Sequence, residues 1–365
     1  MVAVILVFII FNIFLLYIFR KSRFYGYTQL TRNQIVKVLL ILVGLSIIGL
    51  QSGDYWGYKE HVEEAYSILK NSTNYDGYLT HMETQYSYLA YYLGGNYILW
   101  RFVVYGLQYF LLFWLLKKIK YLDYNFLYLY FILAFTNSIV GRSSWGHMLL
   151  VCMMILSNYT SNFFYRALSF LSVFSHKFLI VPLFISFSSF FKFNNKKLLL
   201  SLFLIPLLSY YIGIIFADLL ILDDFQEGLS RSVSYYVDDL TSTNIWGNSI
   251  GEILSYFPLR ISLLCIVAIS IYQTIIQKKN IENHIQGLVP YIYILSIFAI
   301  VFAVKKIGDA TFAIRFFDAM CLPATFVLYS LRRNGRISEK VLKFLHSLIL
   351  ISFESSFLRL IYYSI

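Results

Sequence analysis

Apolar runs of about 20 residues, the length a helix needs to cross roughly 30 Å of hydrocarbon, recur along this chain between short polar links. They predict helices over Val2 to Phe19, Ile35 to Leu50, Tyr97 to Leu116, Tyr121 to Val140, Gly146 to Tyr165, Leu198 to Ala217, Phe257 to Gln277, Gly287 to Val304, Phe316 to Leu331 and Val341 to Tyr363. One further apolar stretch, residues 167–190, has Arg166 before it and Lys192, Lys196 and Lys197 after it. Its 24 residues suffice for one span, but basic residues at both ends place both ends in the cytoplasm. The stretch is therefore expected to be a helical hairpin with short arms, turning at His176-Lys177. Backbone that turns at membrane depth must be buried in protein or line a wet cavity. A single ordinary span containing His176 is the alternative, and it would invert every later link. The expectation is an all-α, polytopic integral membrane protein of about 11–12 transmembrane helices, forming one membrane domain over residues 1–365.

Composition rules out an ordinary soluble domain. Of the 365 residues 59% are hydrophobic, 19% aromatic and only 13% charged, with a mean hydropathy of +0.67. The formal net charge of +11 is unevenly spread: with the hairpin in place, 19 of the 30 Lys and Arg residues fall in cytoplasmic links, among them Arg20, Lys21, Arg23, Lys117, Lys118, Lys120, Arg166, Arg332, Arg333 and Arg336. That asymmetry is what cytoplasmic loops carry, so the basic balance reports topology and not a nucleic-acid partner. The first run has no basic residue before it and three after it, the reverse of a cleaved leader. It is expected to be a retained helix with its N-terminus outside, and the same topology puts the C-terminus outside. Cys152, Cys265 and Cys321 all sit in apolar runs, which points to core packing and to neither a disulfide framework nor a metal site.

Two outer links are long, residues 52–96 and 218–256. The first is dense in Tyr and acidic residues, with a short helix predicted over Lys59 to Lys70. Flat aromatic faces stack on sugar rings while carboxylates and amides bond hydroxyls, so Asp54, Trp56, Tyr58, Glu83 and Tyr86, taken together, suit a carbohydrate. Any one Tyr fits an interfacial aromatic belt better. The second link carries Asp223, Asp224, Glu227, Arg231, Asp238, Asp239 and Trp246; its acidic pairs are read as solvated, and no metal is assigned.

The outer-face cations carry the sharper signal. Arg101, Arg142, Lys177, Arg260, Lys305, Lys306, Arg315 and Arg359 lie at or near predicted helix ends, where intramembrane charge is costly and usually functional. Arg presents a rigid fork that matches phosphate oxygens, so such a ring suits a lipid-linked diphosphate. The competing explanation is snorkelling or pairing with a nearby acid, as in Arg315 with Asp318 and Arg359 with Glu354. Arg142 and Arg315, at turning points among small or apolar residues, favour a ligand.

The order of "GDYWGY", "METQYSYL", "NSIVGRSSW", "FSHKFLIV" and "AIRFFDAM" resembles the EpsG-type polysaccharide polymerases, a branch of the Wzy O-antigen and capsule polymerases. The resemblance runs from about Asp54 to Cys321. Asp54 and Tyr58 match an acidic residue and Tyr that open the first outer loop. Glu83, Thr84, Gln85 and Tyr86 match a Glu-Pro-x-Tyr pattern without its proline. Arg142 matches an Arg at the start of a helix, His176 the His of a Phe-His-x-Ser pattern, and Arg315 a late Arg before an aromatic pair. The resemblance implies a GT-C-like, all-helical glycosyltransferase of the bacterial inner membrane with its site facing outward. It implies transfer of a glycan from a polyprenyl (undecaprenyl) diphosphate to a sugar hydroxyl of another lipid-linked repeat unit, without cofactor, and a possible chain-length regulator as partner. Such a reaction needs a cationic cradle for the departing diphosphate and a base for the attacking hydroxyl. Arg142, Arg315 and Lys177 are the candidates for the first, and His176, Glu83 and Asp54 for the second. Tyr58, Tyr86 and Trp56 are candidates for holding sugar. An O-antigen ligase or another polyprenyl-linked glycosyltransferase would share these features. A non-enzymatic flippase or transporter would more often show internal repeats, and none is visible.

Overall fold

The computed structural model describes residues 2–49, 53–71, 84–135, 143–175, 177–190, 197–198, 200–202, 204–211, 249–279, 281–305 and 310–363. Among them there is no strand, only an isolated bridge between Gln29 and Asp123. The helices are α1 Val2–Tyr25, α2 Arg32–Ile48, α3 Gly53–Asn71, α4 Thr84–Tyr92, α5 Tyr97–Lys118, α6 Tyr124–Tyr130, α7 Ser143–Thr160, α8 Phe163–Leu168, α9 Ile180–Ser186, α10 Ile250–Ile271, α11 Asn283–Gln286, α12 Leu288–Lys305, α13 Ala310–Arg333 and α14 Glu339–Tyr363. Five stretches are long and apolar enough to cross a membrane: Ile5–Tyr25, Tyr97–Lys118, Ile250–Ile276, Asn283–Ala303 and Ala313–Arg333, with shorter apolar helices between them. The chain is an all-helical, multi-pass membrane protein.

Local chemistry sets most helix ends. Thr31 and Gln34 form a reciprocal capping box at the start of α2, and Gly49 ends it with φ +63°, a backbone that glycine adopts without strain. The run expected over Gly146 to Tyr165 is interrupted. Ser161 takes φ +53°, and the Asn162 side chain accepts from Phe164 N at 2.9 Å, so one helix stops and α8 starts. Where a single short helix was expected over Lys59 to Lys70, α3 fills Gly53–Asn71 and α4 adds a second element in the same link. α10 begins at Ile250, seven residues before the apolar run, because Ser249 caps it through Glu252 N at 3.3 Å. α13 likewise begins at Ala310.

The chain divides into two compact units, Met1–Ile180 with Leu360–Ile365, and Val181–Arg359. In the first, α1 packs on α6 through aromatic side chains: Phe14 meets Phe131 edge-on at 5.1 Å between ring centres and Phe11 lies 5.6 Å from Phe135. Tyr109 of α5 stacks on the same Phe135 at 6.3 Å. Within a bilayer the lipid competes for apolar contact, so such ring pairs and interhelical hydrogen bonds specify which helices meet. In the second unit, Phe298 and Phe302 of α12 enclose Phe316 of α13 at 5.5 and 5.4 Å. α13 is an interior helix, with 83% of its apolar window buried, against 33% for α1.

The stretch around His176 is not one helix. A 3₁₀ segment over Ser169–Phe174 follows α8, a turn falls at Ser175, and a second 3₁₀ turn over Lys177–Leu179 leads into α9. Gly146 of α7 explains how close this stretch comes. A Cβ on Gly146 would overlap Ser175 Oγ and Leu179 Cδ1, and would sit 2.9 Å from the Ser172 carbonyl. The opening turn of α7 and the turn at Ser175 thus touch through a position that only glycine fills.

Candidate functional site

Several predicted site residues fall where little or nothing can be said of their side chains. Arg142, His176 and Glu83 lie outside the described residues, as does most of the link over residues 218–256. Asp54 and Trp56 belong to the first turns of α3, and Lys177 to the second 3₁₀ turn. The backbone nevertheless brings two predicted stretches together, since the Gly146 contact sets the start of α7, just after Arg142, against Ser175, just before His176.

Tyr58 and Tyr86 are brought into one cluster. Both belong to an aromatic cluster of α3, α4 and α5 with Tyr97 and Trp100, joined by Trp145 of α7. Tyr86 is only 5% exposed, its ring centre lies 5.6 Å from that of Trp100, and its carbonyl accepts from Trp100 Nε1 at 3.3 Å. That ring is committed to packing and does not offer the open face expected of it. Tyr58 is half-buried.

Above this cluster stands Arg101, 3% exposed. Its Nε donates to the Ser46 carbonyl at 2.9 Å, Nη2 donates to the same oxygen, and Nη1 donates to the Tyr97 hydroxyl at 2.7 Å. Tyr105 covers its face at 4.9 Å. Ser46 lies in the last turn of α2, whose carbonyls lack helical partners. Arg101 supplies one, with its charge at the negative end of the helix. It is a structural cap, not a ligand group. Arg166, expected in a solvated inner link, is wholly buried, and its Nη2 donates to Asn158 Oδ1 at 3.4 Å.

The second unit gathers three guanidiniums from three helices. Arg260 of α10 lies over the Tyr256 ring at 4.8 Å and over Phe317 of α13 at 5.6 Å. Arg359 of α14 lies over the same Tyr256 ring at 4.7 Å. Asp318 of α13 interacts electrostatically with both Arg260 and Arg315. Arg315 and Asp318 are three positions apart on one helix, close enough to be neighbours. Arg315 is therefore inside α13 and not at the turning point expected of it. Arg359 is paired with Glu252 of α10 at 3.8 Å, and not with Glu354, because residues five apart on a helix point in well-separated directions. The Ser352 hydroxyl donates to the Ser255 carbonyl and ties α14 to α10 beside this pair.

Arg260 differs from the other two. It is 4% exposed, and its buried Nη1 makes no hydrogen bond among the described residues. The rings attract the face of the guanidinium, but the in-plane N–H groups need an acceptor. A buried charged donor left unsatisfied costs about 1–3 kcal/mol or more. The arrangement is a desolvated, preoriented cation with acids close by, and it can hold an oxyanion far more strongly than the same groups could in water. Sequence reading placed Arg260 among the outer cations without choosing it. The available signal was Tyr256 four positions before it, the spacing of helix neighbours. No group of His, Cys, Asp and Glu suited to a metal occurs among the described residues.

A comparison with family models, with curated proteins and with solved structures finds no match to this chain.

Proposed function

We propose that this protein is an O-antigen or capsule polymerase, a glycosyltransferase moving a growing glycan from a polyprenyl diphosphate to a sugar hydroxyl of another lipid-linked repeat unit. One observation carries the reading: Arg260 and Arg359 share the Tyr256 ring, and Asp318 links Arg260 electrostatically to Arg315, among apolar helices. Collecting that much positive charge away from water is expensive. It is repaid when the ligand brings negative charge on a lipid-soluble body, and a diphosphate on a polyprenyl chain does both.

In this reading the arginine cluster holds the departing diphosphate, and preorganised positive charge lowers the cost of the charge that develops as the glycosidic bond breaks. A base takes the proton from the attacking hydroxyl. On the same reading the site faces the outer side of a bacterial inner membrane, an orientation that the asymmetry of Lys and Arg favours. Deleting the gene and running surface polysaccharide on a gel tests the proposal directly. Collapse of the long ladder to single repeat units supports it, loss of all attached glycan indicates a ligase instead, and an untouched ladder removes both. Arg142→Ala and Arg315→Ala should each give the single-unit pattern at normal protein levels.

A further inference from the structure

We infer that Arg260 is the guanidinium that contacts the ligand in this cluster, and that the group it takes is a phosphate-type oxyanion. The inference rests on the reading of the cluster as an anion site and needs only its anionic ligand, not its reaction. Of the three arginines, Arg359 is engaged by the Glu252 carboxylate at 3.8 Å, and Arg315 shares a helix with Asp318, which acts on it electrostatically. Arg260 is the most deeply buried of the three, 4% exposed, and its buried Nη1 makes no hydrogen bond among the described residues, as is also true of Arg359 Nε.

The surroundings of Arg260 restrict what can satisfy it. The guanidinium lies over the Tyr256 and Phe317 rings at 4.8 and 5.6 Å, and its N–H donors point in the plane of the fork, the direction from which a phosphate oxygen approaches. Asp318 interacts electrostatically with Arg260. It moderates the charge, while Arg260 Nη1 has no hydrogen-bond partner among the described residues. A neutral sugar hydroxyl would leave the charge uncompensated, and among the described residues no carboxylate is hydrogen-bonded to Arg260 Nη1. The sandwich of Arg260, Tyr256 and Arg359 also holds a second guanidinium on the same ring. Two phosphates joined as a diphosphate therefore meet two fixed cations.

The test uses the full-length purified protein in phosphatidylcholine nanodiscs, with radiolabelled geranylgeranyl diphosphate as the probe and geranylgeraniol as its uncharged counterpart. Wild type should bind the diphosphate well above the alcohol. Arg260→Met should weaken diphosphate binding at least tenfold and leave the alcohol unchanged, while Arg260→Lys, which keeps the charge but loses the fork, should fall between. If Arg260→Met is poorly folded by thermal melting, Arg260→Lys carries the test alone. Wild-type affinity in the folded variants, or no diphosphate binding by wild type, overturns the assignment. Competition by inorganic diphosphate, or by phosphatidylglycerol placed in the nanodisc, identifies a free anion or a phospholipid headgroup as the source of the same oxyanion chemistry. Either form of competition, when lost in Arg260→Met, supports the assignment. Should gene deletion leave the polysaccharide ladder intact while binding still depends on Arg260, the polymerase reading falls and this inference stands. A collapsed ladder with Arg260-independent binding gives the reverse.

Discussion

Arg101 and Arg260 are both buried arginines on long apolar helices, each lying over aromatic rings, and they do opposite things. Arg101 faces the end of a neighbouring helix and fills three donor positions on the Ser46 carbonyl and the Tyr97 hydroxyl. Arg260 faces rings, with Asp318 acting on it electrostatically, and its buried Nη1 makes no hydrogen bond among the described residues. Burial alone therefore does not mark a functional cation. What distinguishes the two is whether the protein itself completes the hydrogen bonds: a completed set fixes helices together, while an incomplete set is a cost that only a ligand removes.

Substitutions can break or sharpen that contrast. Arg101→Ala should have the largest effect on stability, on the order of 3 kcal/mol, because it strips the charged donor from the Ser46 carbonyl and removes the hydrogen bond to the Tyr97 hydroxyl; a thermal melt in detergent against wild type reads it. Gly146→Leu should follow at about 2 kcal/mol, since its side chain must displace Ser175 and Leu179 and meets the fixed Ser172 carbonyl. The same melt, with protease sensitivity around residues 169–179, checks it. Ser46→Ala should cost only about 1 kcal/mol, the hydrogen bond with the Tyr109 hydroxyl, because Arg101 binds the carbonyl and not the side chain. A Ser46→Ala loss as large as that of Arg101→Ala would show that the two bonds act as one network. Arg260→Met should change stability least, near zero or slightly upward, as replacing a buried charge with an apolar side chain often does. A collapse on the scale of Arg101→Ala would place Arg260 with the structural arginines and erase the contrast.

The sequence and the structure part company at particular residues. The ends of α2, α8 and α10 were readable in principle, since Thr31, Asn162 and Ser249 are cap residues with short-range partners. Reading apolar runs alone moved α10 and α13 inward and set Arg315 at a turning point when it lies within its helix. Tyr86 was read as an open ring because its neighbour Trp100 is fourteen residues away, on a different helix. The competing explanation for Arg359 offered the acid nearest in sequence, Glu354, and the ion pair is made with Glu252 of another helix.

From its order of residues alone, this chain declares itself a multi-pass helical membrane protein, because hydropathy, span length and capping act over one or two turns and need no partner. The fate of each arginine is a different kind of property. The acceptor for Arg101 lies 55 residues away, the acid for Arg359 lies on another helix, and the open donor of Arg260 is defined by rings on both α10 and α13. Only the packing of those helices decides which cation is consumed in holding the fold and which one is left to hold something else.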